Sequence, residues 1–198
     1  MTEVQDREIT GVILVGGKSR RMGRDKAFLE VGGKPLFEKA LDLFTASFAQ
    51  VLLVGNRAER FEPYGLPVLP DLYPGSSLGG LYTGLHHATS EYVFVSSCDL
   101  PFPSSKVLSY LCSLRDGFDA VVPHTSNGYE PLFALYSKNC LGPIKAQLDR
   151  GEFCAYSYYP EIKIRFVSQE ELADLDPEGQ AFLNLNTPAE YANIGGDK

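Results

Sequence analysis

At 198 residues the chain has the length of a single domain and can bury a sizeable core. Its 44% hydrophobic content excludes a disordered chain, and its apolar runs, about four to six residues long, are too short to span a bilayer. A net charge of −7 argues against nucleic acid as the main partner, because long polyanions need broad basic surfaces.

The opening Met1–Glu8 is polar and does not read as a secretory signal, so the cytoplasm is the expected compartment. Ile9 to Val15 is an apolar run of strand length, ended by Gly16 and Gly17. Pro35 suits a first helical position, and Leu36, Phe37, Ala40, Leu41, Phe44 and Phe48 recur at helical spacing after it. Val51–Val54 predicts the second strand and Val68–Leu69 a short third. The glycine-rich Ser76–Gly80 leads into a helix carrying Leu81, Leu85 and Ala88. Tyr92–Ser96 is the fourth strand, Ser105–Leu114 a helix and Ala120–Pro123 a strand. Pro131–Tyr136 alternates weakly as a strand would. Gly142–Arg150 reads as helix, and Ile162–Val167 and Ala181–Leu185 as strands. Thr187, Pro188 and Glu190 then have capping-box spacing.

Strands alternating with helices predict an α/β fold in one domain spanning residues 1–198. Its sheet is expected to be mainly parallel and doubly wound, with helices on both faces. The core runs from about residue 9 to 194, with flexible termini at 1–8 and 195–198. Cys98, Cys112, Cys140 and Cys154 contain no C-x-x-C pair and are too scattered for a disulfide scaffold, so they read as reduced thiols. The adjacent His86 and His87 point to different helix faces, which disfavours a shared metal. Tyr156, Tyr158 and Tyr159 read as packing residues before they read as a stacking platform.

Charge distribution is more informative than net charge. Lys18, Arg20, Arg21, Arg24 and Lys26 put five of the chain's 18 Lys and Arg into nine residues, just past the first strand. Open parallel sheets bind ligands beyond the carboxyl ends of their strands. There, glycines let backbone N–H groups approach phosphate, and arginine supplies a fork of donors matched to it. An acidic protein with one dense cationic loop points to a compact polyanion such as a nucleoside triphosphate. The loop is not a Walker A motif, whose first glycine would fall at Val12, nor a G-x-G-x-x-G fingerprint. Asp99 follows the fourth strand, in Asp99-Leu100-Pro101. Alone it reads more often as a turn or cap residue; beside the arginine loop it reads more often as a Mg²⁺ ligand. Asp71, after the third strand, is open to both a turn and a nucleotide-binding reading.

The segment Leu14, Val15, Gly16, Gly17, Lys18, Ser19, Arg20, Arg21, Met22, Gly23, Arg24, Asp25, Lys26 closely resembles the L-x-G-G-x-S-x-R-M-G-x-D-K signature of nucleotidyltransferases. It looks most like the molybdenum cofactor guanylyltransferase family, with Val15 where alanine is commoner. The resemblance implies a Rossmann-like fold and transfer of GMP from GTP to molybdopterin with release of pyrophosphate. It implies nucleotide binding by Leu14, Val15, Gly16, Gly17, Lys26, Asp71, Gly79, Gly80 and Asp99. Asp99 would hold the metal, and Arg20, Arg21 and Lys26 would join it in catalysis. The segment from Leu78 to Leu85 resembles the family's purine-side G-P-L-x-G-x-x-x-G-L, with Ser76 and Ser77 where Gly-Pro is common. Glu130 and Pro131 match its E-P-L-x-A-x-Y acceptor strand; Asn184 and Asn186 match its N-x-N-T-P. Val54 stands where some members carry a nucleotide-contacting asparagine, with Asn56 two residues on.

Three readings follow. The first is Mg²⁺-dependent guanylyl transfer with GTP and molybdopterin as partners; further proteins of cofactor biosynthesis or molybdoenzyme maturation are candidate partners. The second keeps the chemistry but uses cytidylyl transfer, or a sugar-phosphate acceptor. The third is a nucleotide-binding delivery module without catalysis.

Overall fold

The computed structural model describes residues 6–16, 26–185 and 188–194. In chain order the elements are β1 (Asp6–Leu14), α1 (Leu36–Ser47), β2 (Phe48–Val54), β3 (Val68–Leu69), α2 (Ser77–His87), β4 (Tyr92–Ser97) and α3 (Ser105–Ser113). They continue with β5 (Ala120–Thr125), β6 (Gly128–Tyr129), β7 (Phe133–Ser137), α4 (Leu141–Asp149), β8 (Ile164–Ser168), α5 (Gln169–Leu172) and α6 (Pro188–Asn193).

The sheet order is β3-β2-β1-β4-β7-β5-β6, with β8 also paired to β5. β3, β2, β1 and β4 run parallel; β7 is antiparallel to both β4 and β5, and β8 is parallel to β5. The one long strand against the grain has a simple cause. Parallel neighbours need a crossover of about a dozen residues or more. Only seven residues separate Thr125 from Phe133, two of them forming β6. The chain therefore returns antiparallel, and β7 slots between β4 and β5.

Strand alternation divides the core. Ile9 and Ile13 of β1 join Phe37 and Phe44 of α1 and Val107 and Leu111 of α3 on one face. Val12 and Leu14 join Leu81 and Leu85 of α2 and Ile144 and Leu148 of α4 on the other. Both faces are thus covered by helices, as the alternation predicts. Two glycines set the approach distances. A Cβ on Gly11 would lie 2.6 Å from a ring carbon of Phe48, and one on Gly84 would lie 2.7 Å from Val12 Cγ1. Among the described residues, no helix is long and apolar enough to cross a membrane.

Several boundaries differ from the sequence reading. β1 begins at Asp6, where Arg115 meets Asp6 at 3.5 Å and Glu8 at 2.8 Å, so residues 6–8 belong to the sheet. Pro35 is the N-cap of α1 with ψ 141°, one residue before the helix starts. α2 starts inside the glycine-rich segment because the Ser76 hydroxyl accepts from the Gly79 N–H. Ala181–Leu185 is not a strand. Its backbone donors go elsewhere: Ala181 N–H to Asp176 Oδ2, Leu183 N–H to the Gln180 carbonyl and Leu185 N–H to the Asp99 carbonyl. Its apolar character reflects burial of Ala181 in the main core and of Leu185 against Leu29, Val31 and Leu36. A capping box does occur, at Ser168 and Glu171; Thr187, where the sequence suggests one, lies outside the described residues.

Gly84→Ala is expected to destabilise the protein by about 1–3 kcal/mol through overpacking against Val12, against which helix propensity returns at most about 1 kcal/mol. Urea unfolding measures it, and an unchanged or higher midpoint contradicts the packing described.

Candidate active site

β1 lies between two parallel neighbours, β2 and β4, at the point where the strand order reverses, so the carboxyl ends of all three strands share the edge at which open parallel sheets bind ligands. The register puts Leu14 opposite both Val54 and Ser97. Val15 N–H still donates to the Val54 carbonyl at 2.9 Å. Gly16 then passes hard against Gly55, where a Cβ would lie 2.8 Å from Val15 Cγ2 and 3.0 Å from the Gly16 nitrogen. Gly17, Arg20 and Arg21, with Lys18 and Arg24, lie outside the described residues. The chain is described again at Lys26, whose Nζ stands 3.6 Å from Asp99 Oδ2, both side chains being about one-fifth exposed. Both described ends of the cationic loop therefore sit at the crevice, and one is an ion pair with the aspartate singled out from sequence.

Asp99 is held from several directions. The Ser97 hydroxyl donates to its Oδ1 at 2.5 Å, Lys26 faces Oδ2, and its carbonyl accepts from Leu185 N–H at 3.3 Å. The last bond brings Asn184 to the same place. Glu130 and Pro131 arrive by topology: an antiparallel strand brings its start, not its end, to the edge where β4 finishes. Ser96 pairs with Phe133, and Ser97 N–H donates to the Leu132 carbonyl at 3.1 Å. The result is a cleft of about 240 Å³ lined by Ser97, Asp99, Glu130, Pro131, Phe182 and Asn184, among others. Four candidate residues distant in sequence thus share one cavity. Asn186 lies outside the described residues.

Glu130 is half-buried, and burial pushes its carboxyl above the usual carboxylate range, partly offset by the Thr125 hydroxyl, which donates to Oε1 at 3.1 Å. Ser97, Thr125 and Phe182 were not singled out from sequence. A serine two residues before Asp99 was a readable hint; Phe182 was hidden in a segment read as strand.

Asp71 forms a second group, on the β3 side of the crevice. Its Oδ1 accepts from Tyr73 N–H at 3.0 Å and from the Thr83 hydroxyl at 3.3 Å, and its own N–H donates to Asn56 Oδ1 at 3.2 Å. Burial raises its carboxyl pKa, with the Tyr73 and Thr83 hydrogen bonds opposing. Gly79 and Gly80 are buried in α2, where their N–H groups donate to the Ser76 hydroxyl and carbonyl. A Cβ on Gly79 would fall 2.0 Å from the Tyr73 carbonyl oxygen, and one on Gly80 would fall 3.1 Å from Leu14 Cδ2. In the described structure these two glycines let α2 press against β1 and the Asp71 loop. Leu14, whose side chain is 7% exposed, is core beneath them.

Residues 11–161 match the family described as "MobA-like NTP transferase domain". A relative from Pelotomaculum thermopropionicum, named a probable molybdenum cofactor guanylyltransferase, is 36% identical, with 92% of this chain and 90% of its own length covered. A molybdenum cofactor guanylyltransferase from Desulfosudis oleivorans is 34% identical, with 92% of each covered. Among solved structures, molybdopterin-guanine dinucleotide biosynthesis protein A from Archaeoglobus fulgidus superposes with a TM-score of 0.83 at 26% identity, over 93% of this chain and 96% of that one.

The raised pKa of Glu130 has a definite consequence for stability. A carboxyl whose folded pKa exceeds its unfolded value costs stability as pH rises through the folded pKa. Glu130→Gln removes that cost and keeps an acceptor for Thr125. The variant should therefore unfold at higher urea than the parent at pH 7, with the gap closing as pH falls below the ordinary glutamate value of about 4.3. A less stable variant at pH 7 contradicts the burial account.

Proposed function

The chain belongs to the MobA-like NTP transferase family, and from that premise we propose that it transfers GMP from GTP to molybdopterin, releasing pyrophosphate. The observation that carries this reading is the Lys26–Asp99 pair at the sheet's switch point, in contact with a cleft that also contains Glu130 and Asn184. The groups we assign to phosphate and to the acceptor thereby meet at one carboxylate.

In the proposed reaction a phosphate oxygen of the acceptor attacks the α-phosphorus of GTP in line. One P–O bond forms, the bond from the α-phosphorus to the bridging oxygen breaks, and pyrophosphate leaves with that electron pair. The nucleophile is already ionised near neutral pH, so no side chain has to remove a proton. The protein's task is alignment and charge neutralisation.

Asp99 suits a divalent cation, with Mg²⁺ as the proposed ion. It offers one carboxylate at a cleft edge, and Mg²⁺ takes few protein ligands, leaving its other positions to phosphate and water. Bound there, the ion would neutralise charge on the transferring phosphate. Lys26, now paired with Asp99, is placed to exchange that carboxylate for phosphate oxygens. Arg20 and Arg21 are assigned to the departing pyrophosphate, and the Gly16 and Gly17 backbone to the triphosphate. Asp71 is assigned to the nucleotide, and Glu130, Pro131, Asn184 and Asn186 to the acceptor.

Asp99→Ala should slow turnover by about a hundredfold or more, read as pyrophosphate release with GTP, Mg²⁺ and molybdopterin. Parent-like turnover would remove Asp99 from this role. In the same assay GTP should be preferred over CTP, ATP and UTP; a preference for CTP would replace the guanylyl reading with the cytidylyl one.

A further inference from the structure

The two half-buried carboxylates outside the metal position, Asp71 and Glu130, lie on opposite sides of the crevice. Asp71 follows β3, beyond β2 on one flank of β1; Glu130 precedes β7, on the far flank of β4. Asp71 spends its Oδ1 on two protein donors. The Glu130 carboxylate has a single hydrogen-bond partner among the described residues, the Thr125 hydroxyl on Oε1, and forms no salt bridge among them. It also lines the cleft, where the apolar Pro131, Leu132, Phe133 and Phe182 stand beside the polar Ser97, Asp99 and Asn184.

We propose that Glu130 reads the donor edge of the acceptor's pterin, accepting from its ring N–H and exocyclic amine while Pro131, Leu132 and Phe182 wall the flat faces of the heterocycle. The assignment rests on the reading of the chain as a molybdopterin guanylyltransferase.

The chemistry is a matter of matching patterns. An ionised carboxylate is acceptor-only. A buried one with spare acceptor capacity needs donors from its ligand, because leaving it unpaired is costly. The 2-amino-4-oxopyrimidine edge supplies two adjacent donors. The cavity volume of about 240 Å³ is below the range of about 300–1,000 Å³ usual for drug-sized ligands, which suits one fused ring system and not a whole dinucleotide. Phe182 lies edge-on to Phe133, with centroids 6.0 Å apart, and this contact fixes its ring at the cleft. Guanine carries the same donor edge as pterin. The sheet order separates the two: with the nucleotide's base on the Asp71 flank, the Glu130 flank is left to the acceptor.

The test uses the full chain and two fluorescent probes, pterin (2-amino-4-oxopteridine) and lumazine (2,4-dioxopteridine), which differ only at that edge. The parent should bind pterin at least about tenfold more tightly than lumazine, and Glu130→Gln should lose the preference, because glutamine presents one acceptor and one donor. In the transfer assay the same variant should raise the acceptor KM by about ten- to hundredfold and leave the KM for GTP within about twofold. Equal affinity for the two probes, no binding of either, or a preference retained by Glu130→Gln would overturn the proposal. So would a raised KM for GTP, which would assign Glu130 to guanine, or an unchanged acceptor KM with a raised metal requirement, which would assign it to the cation. Selective pterin binding by a parent that yields no guanylylated product would overturn the transfer reading and leave the Glu130 assignment standing.

Discussion

The parallel pairing of β1 with β4 is the constraint on which the site depends. With Leu14 level with Ser97, the loop leaving β1 and the aspartate leaving β4 emerge at the same height on adjacent strands. The Lys26–Asp99 pair is a consequence of that register. Slipping the register by one residue would turn every β1 side chain to the wrong face, exchanging Ile13 with Val12 between the two halves of the core. Core packing therefore protects the site's geometry. Gly11 and Gly84 are part of that protection, since Gly11 lets Phe44 and Phe48 close on β1 from one side and Gly84 lets α2 close on Val12 from the other.

Electrostatics at the edge are arranged with unequal compensation. Asp99 has a lysine and a hydroxyl facing its two oxygens. Asp71 and Glu130 have hydrogen bonds and no described cation, and burial raises both. A protein of net charge −7 thus keeps three carboxylates around one crevice and concentrates five of its 18 Lys and Arg in residues 18–26, of which Lys26 faces Asp99. Carboxylates held at a desolvation cost are a common mark of functional sites, where a ligand supplies the missing partner.

Much of the fold was legible because apolar runs and helical periodicity report burial directly. The strands β2, β4, β5 and β8 and the helices α1, α3 and α4 lie within a few residues of where patterning puts them. Tyr158 and Tyr159 are buried in the core, as their packing reading implies, whereas Tyr156, given the same reading, is exposed. The failures share a cause: burial is not strand pairing. Ala181 and Leu185 are buried, yet the nearby backbone donors bond Asp176 and Asp99, which no pattern of hydrophobicity encodes. The antiparallel sense of β7 was equally invisible in its own residues and follows from the length of the preceding connection. At the site, the loop and Asp99 stand out in the sequence because cations and glycines past a strand have few structural uses. The meeting of Glu130 with Asp99 required knowing which way β7 runs. Gly79 and Gly80 show the opposite hazard: a glycine-rich motif read for ligand contact also serves close packing of α2 on Leu14 and Tyr73.

The central claim is that the cationic loop and Asp99 enclose a single triphosphate. A crystal structure with a non-hydrolysable GTP analogue and Mn²⁺ tests it most directly. The account predicts an anomalous manganese peak about 2 Å from an Asp99 carboxylate oxygen, with the triphosphate lying between that ion and the side chains of Arg20, Arg21 and Lys26. A nucleotide whose phosphates lie away from Asp99, or a metal bound without it, would contradict the account.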